Sequence, residues 1–133
     1  MTQTNINAMD IIVTKMRNGK TLSKAMQEVY IKRNVAIPYR EEWFGCKIAS
    51  LKMSMRTTGA LLRNKMETIK DVVNYTESGK ITNIATLGRV SAIELFESIL
   101  DYCWSQMSQD EKTAFLIDVV ERNNGNIRTE IAL

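Results

Sequence analysis

Histidine is absent from the 133 residues, and the chain has only two cysteines and one proline. Without histidine, the commonest general base and the commonest metal ligand are both missing. Cys46 and Cys103 lie far apart, which excludes a structural zinc site and is typical of reduced thiols inside a cell. No serine, cysteine or lysine has an evident activating partner in the sequence. We therefore expect a protein that is not an enzyme and holds no metal or cofactor.

Long apolar runs are also missing. No stretch approaches the roughly 18 consecutive apolar residues of a membrane span, and the first residues lack the pattern of a signal peptide. We expect a cytoplasmic protein without membrane contact. The net charge is only +3, and the basic residues lie mainly before residue 106. This balance permits contact with nucleic acid but does not require it.

Apolar residues recur at helical spacing along most of the sequence, with turn and capping residues between the runs. Asn18-Gly19 ends the first run, Pro38 disfavours helix at Ile37, and Ser108 with Glu111 fits a capping box. The helices predicted in this way cover residues 8–17, about 22–33, about 55–64, 69–74, 77–84, 89 to about 103, and 109 to about 123, with a helical turn at 41–44. The last eight residues are predicted to form a loose tail.

The fold class predicted from this pattern is all-α. We expect a compact bundle of short helices with a helix-hairpin-helix-like core, an N-terminal αα-hairpin and a C-terminal helix. The predicted segments are an N-terminal helical extension (1–46), a central module (47–105) and a C-terminal helix with its tail (106–133). Three aromatic residues flank the module and are expected to pack the extensions against it: Trp43, Phe44 and Trp104. Met53, Met55 and Met66 can form an adaptable partner surface or fill gaps in the core.

The turn Leu87-Gly88-Arg89-Val90-Ser91 is the strongest local signal. Gly88 lets a partner approach the backbone closely, and the helix that follows offers unpaired N–H groups and the positive end of its dipole. Arg89 adds charge and Ser91 adds a hydroxyl. Such a turn suits a phosphate, but many proteins need glycine at this position for structural reasons alone.

A longer pattern surrounds this turn. From residue 51 to residue 95 the ordered positions are Ser54, Arg56-Thr57, Leu61, Arg63, Thr68-Ile69, Asp71-Val72, Thr76-Glu77, Ile81, Ile84, Leu87-Gly88-Arg89, Ser91 and Glu94-Leu95. Over about residues 47–105 this order and spacing resembles the C-terminal domain of the bacterial RNA polymerase alpha subunit. The flanking segments have no counterpart that we recognise, and the large assembly domain of an alpha subunit is missing. The protein therefore looks like a freestanding relative of that domain.

The resemblance implies binding to the DNA minor groove and backbone, chiefly at A·T-rich promoter sequence. It also implies docking on sigma factors and other transcription regulators. Arg56 matches the family's principal minor-groove arginine, while Gly88, Arg89 and Ser91 match positions at or beside its backbone contacts. The candidate nucleic-acid-binding residues are thus Arg56, Thr57, Gly59, Arg63, Gly88, Arg89 and Ser91.

Two positions depart from the family pattern. Gly59 stands where the family has an asparagine, and Val90 stands where it has a lysine. Arg63 can compensate in part for the missing asparagine. Two hypotheses remain: a DNA-binding accessory protein of transcription, or an interaction module that docks on RNA polymerase, sigma factor or another regulator without binding DNA.

Overall fold

The computed structural model describes residues 1–31, 35–75, 87–128 and 131, and in these ranges every regular element is helical. The helices are α1 (Gln3–Arg17), α2 (Leu22–Val29), α3 (Met55–Arg63), α4 (Ile69–Tyr75), α5 (Arg89–Ser105) and α6 (Gln109–Arg122), with 3₁₀ turns at Glu41–Trp43 and Ile48–Ser50. The all-α prediction is confirmed. The helix predicted over 77–84 lies outside the described residues.

Short polar side chains fix the helix starts. Thr2, Thr21 and Ser54 each accept a hydrogen bond from the backbone N–H three residues further on, and Ser108 forms the predicted capping box with Glu111. Each cap satisfies a backbone donor that has no partner within its helix. By residue type, either Thr21 or Ser23 could cap the start of α2. Thr21 is the cap, and Ser23 is buried.

One hydrophobic core unites the three predicted segments. Helix α2 packs against α5, and α1 packs against both α2 and α6. Trp43 is only 1% exposed, and its ring meets that of Phe115 edge-on with 6.0 Å between centroids. Trp104 approaches the same phenyl ring at 6.3 Å. Trp104 thus packs the C-terminal extension against the module, as predicted, whereas Trp43 joins the N-terminal extension to the C-terminal one.

Up to Arg128, the C-terminal segment is not the loose tail that the sequence predicted. Ile127 is buried and forms an antiparallel bridge with Tyr30. The N–H of Ile31 donates to the Asn126 carbonyl at 2.9 Å, and the N–H of Arg128 donates to the Val29 carbonyl at 3.0 Å. This pairing also explains why α2 ends at Val29 rather than near residue 33. Extended backbone at the end of α2 offers hydrogen-bonding groups, and this distant segment satisfies them.

Helix α3 ends in a left-handed turn at Lys65. The N–H of Lys65 donates to the Leu62 carbonyl and the N–H of Met66 to the Leu61 carbonyl, each at 3.0 Å. These two bonds form a Schellman motif, in which the residue after the C-cap is usually glycine. Here that residue is Lys65, with φ of +61°. This backbone conformation is strained for any residue that has a Cβ.

Replacing Lys65 with glycine is expected to stabilise the protein. Relief of the left-handed strain should raise the free energy of unfolding by about 0.5–1 kcal/mol, after allowance for the greater freedom of glycine in the unfolded state. Urea denaturation followed by circular dichroism measures this change. Lys65→Ala removes the same charge but keeps the strain, so equal stability of the two variants would contradict the prediction.

Candidate nucleic-acid interface

The first turns of α3 and α5 lie side by side. The Thr57 hydroxyl donates to the Ser91 hydroxyl across a distance of 3.0 Å. The backbone N–H of Ser54 donates to the Glu94 carboxylate at 2.6 Å. These bonds lock together two helix starts, each of which carries the positive end of a helix dipole. We call the resulting surface the paired-helix edge, which comprises residues 52–57 and 87–91.

The two helix starts are capped differently. In α3 the Ser54 hydroxyl accepts from the Thr57 N–H at 3.3 Å, so part of the first turn is satisfied within the protein. In α5 the cap residue is Gly88, which offers no side-chain hydrogen bond. A Cβ placed on Gly88 would meet no atom within 4 Å. The fold thus has room for a side chain here, and its absence leaves the N–H groups at the start of α5 open to an approaching anion.

Two arginines and two apolar side chains project from the paired-helix edge. Arg56 and Arg89 are exposed, and neither forms an ion pair with any residue that the structure describes. Met55 is 91% exposed and Val90 is 79% exposed. The N-terminal hairpin packs through α2 against α5 and leaves these four side chains uncovered. The edge therefore presents positive charge and apolar surface together.

Arg63 lies over Gly59 on the exposed side of α3. A Cβ built on Gly59 would be 3.2 Å from the Arg63 guanidinium. Because glycine has no side chain, the guanidinium can fold back by one helical turn towards the start of α3. Arg63 thereby occupies space above the position where the resemblance predicts an asparagine.

The other predicted site residues fall into two groups. The exposed residues Arg56, Arg63, Gly88 and Arg89 face solvent. Thr57, by contrast, is 1% exposed, and Ser91 is half-buried. Their hydroxyls are used in the hydrogen bond that joins the two helices. Thr57 and Ser91 position the edge, and the arginines provide its charge.

Glu94 is a member of the site to which sequence reasoning assigns no role. Its carboxylate accepts the backbone N–H of Ser54, and this hydrogen bond holds the pKa of Glu94 below its ordinary value. A charged acceptor is therefore maintained beside the start of α3 at neutral pH. A sequence signal is present, since Glu94 belongs to the matched pattern, but its partner lies 40 residues away.

An acidic stripe bounds the paired-helix edge along α5. Glu94, Glu97 and Asp101 line a shallow cleft of about 460 Å³ together with Lys52. Burial, assisted by the neighbouring Glu97 carboxylate, raises the pKa of Asp101. These carboxylates would repel a polyanion from the cleft, which Met53 and Ser54 of the paired-helix edge also line, whereas the exposed charges of Arg56 and Arg89 would attract one.

The rest of the described residues offer little catalytic chemistry. Burial raises the pKa of the Cys103 thiol to about 12, so this sulfur remains protonated and is a poor nucleophile. In residues 1–31, 35–75, 87–128 and 131, no three His, Cys, Asp or Glu side chains are grouped so that they could hold a metal. Within the same ranges, no helix combines the length and apolarity needed to cross a membrane.

Comparison with known families gives a match in the central part of the chain. Residues 39–101 match the family of the C-terminal domain of the alpha chain of bacterial RNA polymerase. The match begins and ends somewhat earlier than the predicted 47–105, and it contains the whole paired-helix edge. Searches of curated proteins and of solved structures found no match. The matched family is a non-catalytic DNA-binding domain. Over residues 39–101 the protein thus resembles this domain of the polymerase alpha subunit, which supports a transcription-associated DNA-binding module.

Proposed function

We propose that this protein is an accessory factor of transcription that binds DNA through the paired-helix edge. The observation that carries the proposal is the placement of Arg56 and Arg89 on two adjoining helix starts, which the Thr57–Ser91 hydrogen bond holds together. Both arginines are exposed and unpaired among the described residues. Because the two helix starts are already held together, binding a duplex would order the arginine side chains but not the backbone that carries them.

The two helix starts suit different parts of DNA. At the start of α5, the backbone N–H groups that follow Gly88 have no side-chain cap. Together with the charge of Arg89 they can bind the phosphate backbone. At the start of α3, Arg56 can enter the minor groove. A narrow A·T-rich minor groove concentrates negative potential and attracts an arginine side chain. We therefore propose A·T-rich duplex DNA as the preferred ligand.

Arg63 supports the proposal despite the missing asparagine. Its guanidinium lies above Gly59 and is exposed, so it adds a fork of hydrogen-bond donors about one helical turn after Arg56. Val90, however, leaves the edge without the family's lysine. With about two or three phosphate contacts, the logarithm of the binding constant should fall with the logarithm of salt concentration at a slope of about −2 to −3.

Titration of a fluorescent A·T-rich duplex with the full-length protein, followed by anisotropy, tests the proposal. We expect micromolar or weaker affinity that falls clearly between about 50 and about 200 mM salt. A G·C-rich duplex of equal length is the matched control and should bind more weakly. No anisotropy change at low salt, with either duplex or with the single strand, would overturn the proposed function.

A second candidate function is docking on RNA polymerase, sigma factor or another regulator without DNA contact. The exposed Met55 and Val90 favour it, because apolar side chains among charged ones are typical of protein interfaces. Capture from a nuclease-treated bacterial lysate separates the two functions. Recovery of polymerase subunits after nuclease treatment supports docking, whereas loss of all partners supports DNA binding.

Introducing a lysine at position 90 is expected to strengthen DNA binding. Val90 is 79% exposed, so the change should leave the fold intact and add one phosphate contact beside Arg89. We expect a gain of roughly threefold to tenfold at low salt and a salt slope that is steeper by about 0.9. The same anisotropy titration measures both. Val90→Gln is the uncharged control, and an equal gain from Lys and Gln would show that charge is not the cause.

A further inference from the structure

A groove with an apolar floor lies at the end of α5 remote from the paired-helix edge. It has a volume of about 420 Å³ and runs between α1 and α6, with Trp104 at one side. Every residue that lines it lies outside the family match over 39–101. The groove therefore belongs to the parts of the protein that the resemblance leaves without a role.

The apolar residues of the groove follow helical spacing. Met9, Val13 and Met16 are four and three residues apart and share one face of α1, while Leu116 contributes from α6. Over two helical turns this stripe is about 10 Å long. Methionine side chains adapt readily to different partners. A groove of this form between two helices suits the apolar face of a third helix.

The charged side chains in the groove wall are both positive. Arg17 and Lys112 line it, and no carboxylate does. The Lys112 ammonium lies 5.1 Å from the centroid of the Trp104 ring. Neither cation forms an ion pair with any other residue in the described part of the sequence. The groove thus pairs an apolar floor with unneutralised positive charge.

We propose that this groove binds an acidic amphipathic helix of a partner protein. Its apolar side chains would pack on Met9, Met16 and Trp104, and its carboxylates would pair with Arg17 and Lys112. Charge complementarity selects such a segment against a basic one of equal hydrophobicity. The proposal concerns a surface separate from the paired-helix edge and does not depend on DNA binding.

The geometry of α5 lets the two surfaces act together. Trp104 follows Arg89 by fifteen residues within this helix, a distance of about 22 Å along the helix axis. The two surfaces therefore lie at opposite ends of α5. A protein with these two surfaces can connect a DNA segment to an acidic helix of another protein.

Nuclear magnetic resonance of the ¹⁵N-labelled full-length protein tests the groove directly. The protein has two tryptophans, and only Trp104 lines the groove, while Trp43 is buried in the core. The probe is a synthetic peptide of about four helical turns with a leucine stripe flanked by glutamates. We expect it to shift the indole N–H signal of Trp104 much more than that of Trp43. A peptide with lysine in place of each glutamate is the control.

A charge-reversed variant completes the test. Arg17→Glu combined with Lys112→Glu is expected to weaken the acidic peptide about tenfold or more and to favour the lysine peptide instead. A thermal melt verifies that this variant is folded. Equal binding of the two peptides, or no shift with either, would overturn the proposal. So would a Trp104 shift that grows with protein concentration alone, since a second copy would then fill the groove. DNA anisotropy on the same samples reports the proposed function separately.

Discussion

The Arg56→Ala variant is expected to lose at least tenfold in affinity for A·T-rich duplex at low salt. Arg56 is exposed at the start of α3, where its charge adds to the positive end of the helix dipole. Removing it deletes both a phosphate-seeking charge and the side chain proposed for the minor groove. Anisotropy against A·T-rich and G·C-rich duplexes measures the loss. The preference between the two duplexes should also shrink, since a minor-groove contact distinguishes them.

Two controls make this result interpretable. Arg122→Ala removes the same charge from α6, away from the paired-helix edge, where Arg122 pairs with Asp118. Arg56→Lys keeps the charge but loses the planar fork of donors, so it should fall between the parent and Arg56→Ala. Because Arg56 is exposed and unpaired among the described residues, its removal should change the free energy of unfolding by less than about 0.5 kcal/mol. Equal losses for Arg56→Ala and Arg122→Ala would indicate a general charge effect and contradict a specific contact.

Local sequence signals predicted much of this molecule because they act over three or four residues. Ser54, Ser108 and Thr21 cap helices whose starts the sequence could locate, and the Asn18-Gly19 stop coincides with the end of α1, where Gly19 has φ of +95°. Each cap binds a backbone donor only three residues away, so the capping residue can be recognised from its position in the sequence. The resemblance then placed the candidate site on two helix starts, which residue spacing alone could not have paired.

The parts that could not be predicted depend on contacts between distant residues. The sequence around Tyr30 does not show that the helix ends before it or that it pairs with Ile127. A backbone N–H or C=O group can find its hydrogen-bond partner anywhere in the sequence. The same holds for Thr57, which sequence reasoning offered as a DNA contact. Its hydroxyl donates to that of Ser91, 34 residues away. The sequence suggested that Arg63 compensates for the asparagine missing at Gly59, but it could not show that the guanidinium lies over that glycine.

Asn123 is the clearest of these hidden contacts. Its side-chain amide is buried at the end of α6 and joins that helix to the extended segment after α2. The side-chain oxygen accepts from the Ala36 N–H at 2.9 Å, and the nitrogen donates to the carbonyls of Ala36 at 2.9 Å and Val119 at 2.8 Å. One amide thus pairs with both backbone groups of a residue 87 positions away. The oxygen and the nitrogen of this buried amide are therefore both hydrogen-bonded, as is usual for buried polar groups.

Replacing Asn123 with aspartate is therefore expected to cost about 2–4 kcal/mol of folding free energy at neutral pH. The shape is kept, but a carboxylate oxygen would face the two carbonyls that the amide nitrogen now serves. Burial and this repulsion would raise the pKa of the new carboxyl above the ordinary value for aspartate. The folded variant would then hold a proton more tightly than the unfolded state. Its stability relative to the parent should rise as the pH falls through the raised pKa, because a protonated oxygen restores one donor.

The parent protein should show the opposite trend in acid, which makes the comparison sharp. Hydrogen bonds and ion pairs lower the pKa values of Glu28, Asp71, Glu94 and Glu111. These carboxylates stabilise the fold when the pH is above their ordinary pKa values. They lose that effect as the pH falls through their lowered pKa values in the folded protein. Urea denaturation of parent, Asn123→Asp and Asn123→Ala at matched pH values separates the contributions. Asn123→Ala removes the bonds without adding a titrating group, so its deficit should stay constant with pH. If the loss in free energy of unfolding for Asn123→Asp also stayed constant with pH, the new carboxyl would not face the two carbonyls. A carboxyl that faces them is a better hydrogen-bond partner when protonated, so its loss must shrink in acid.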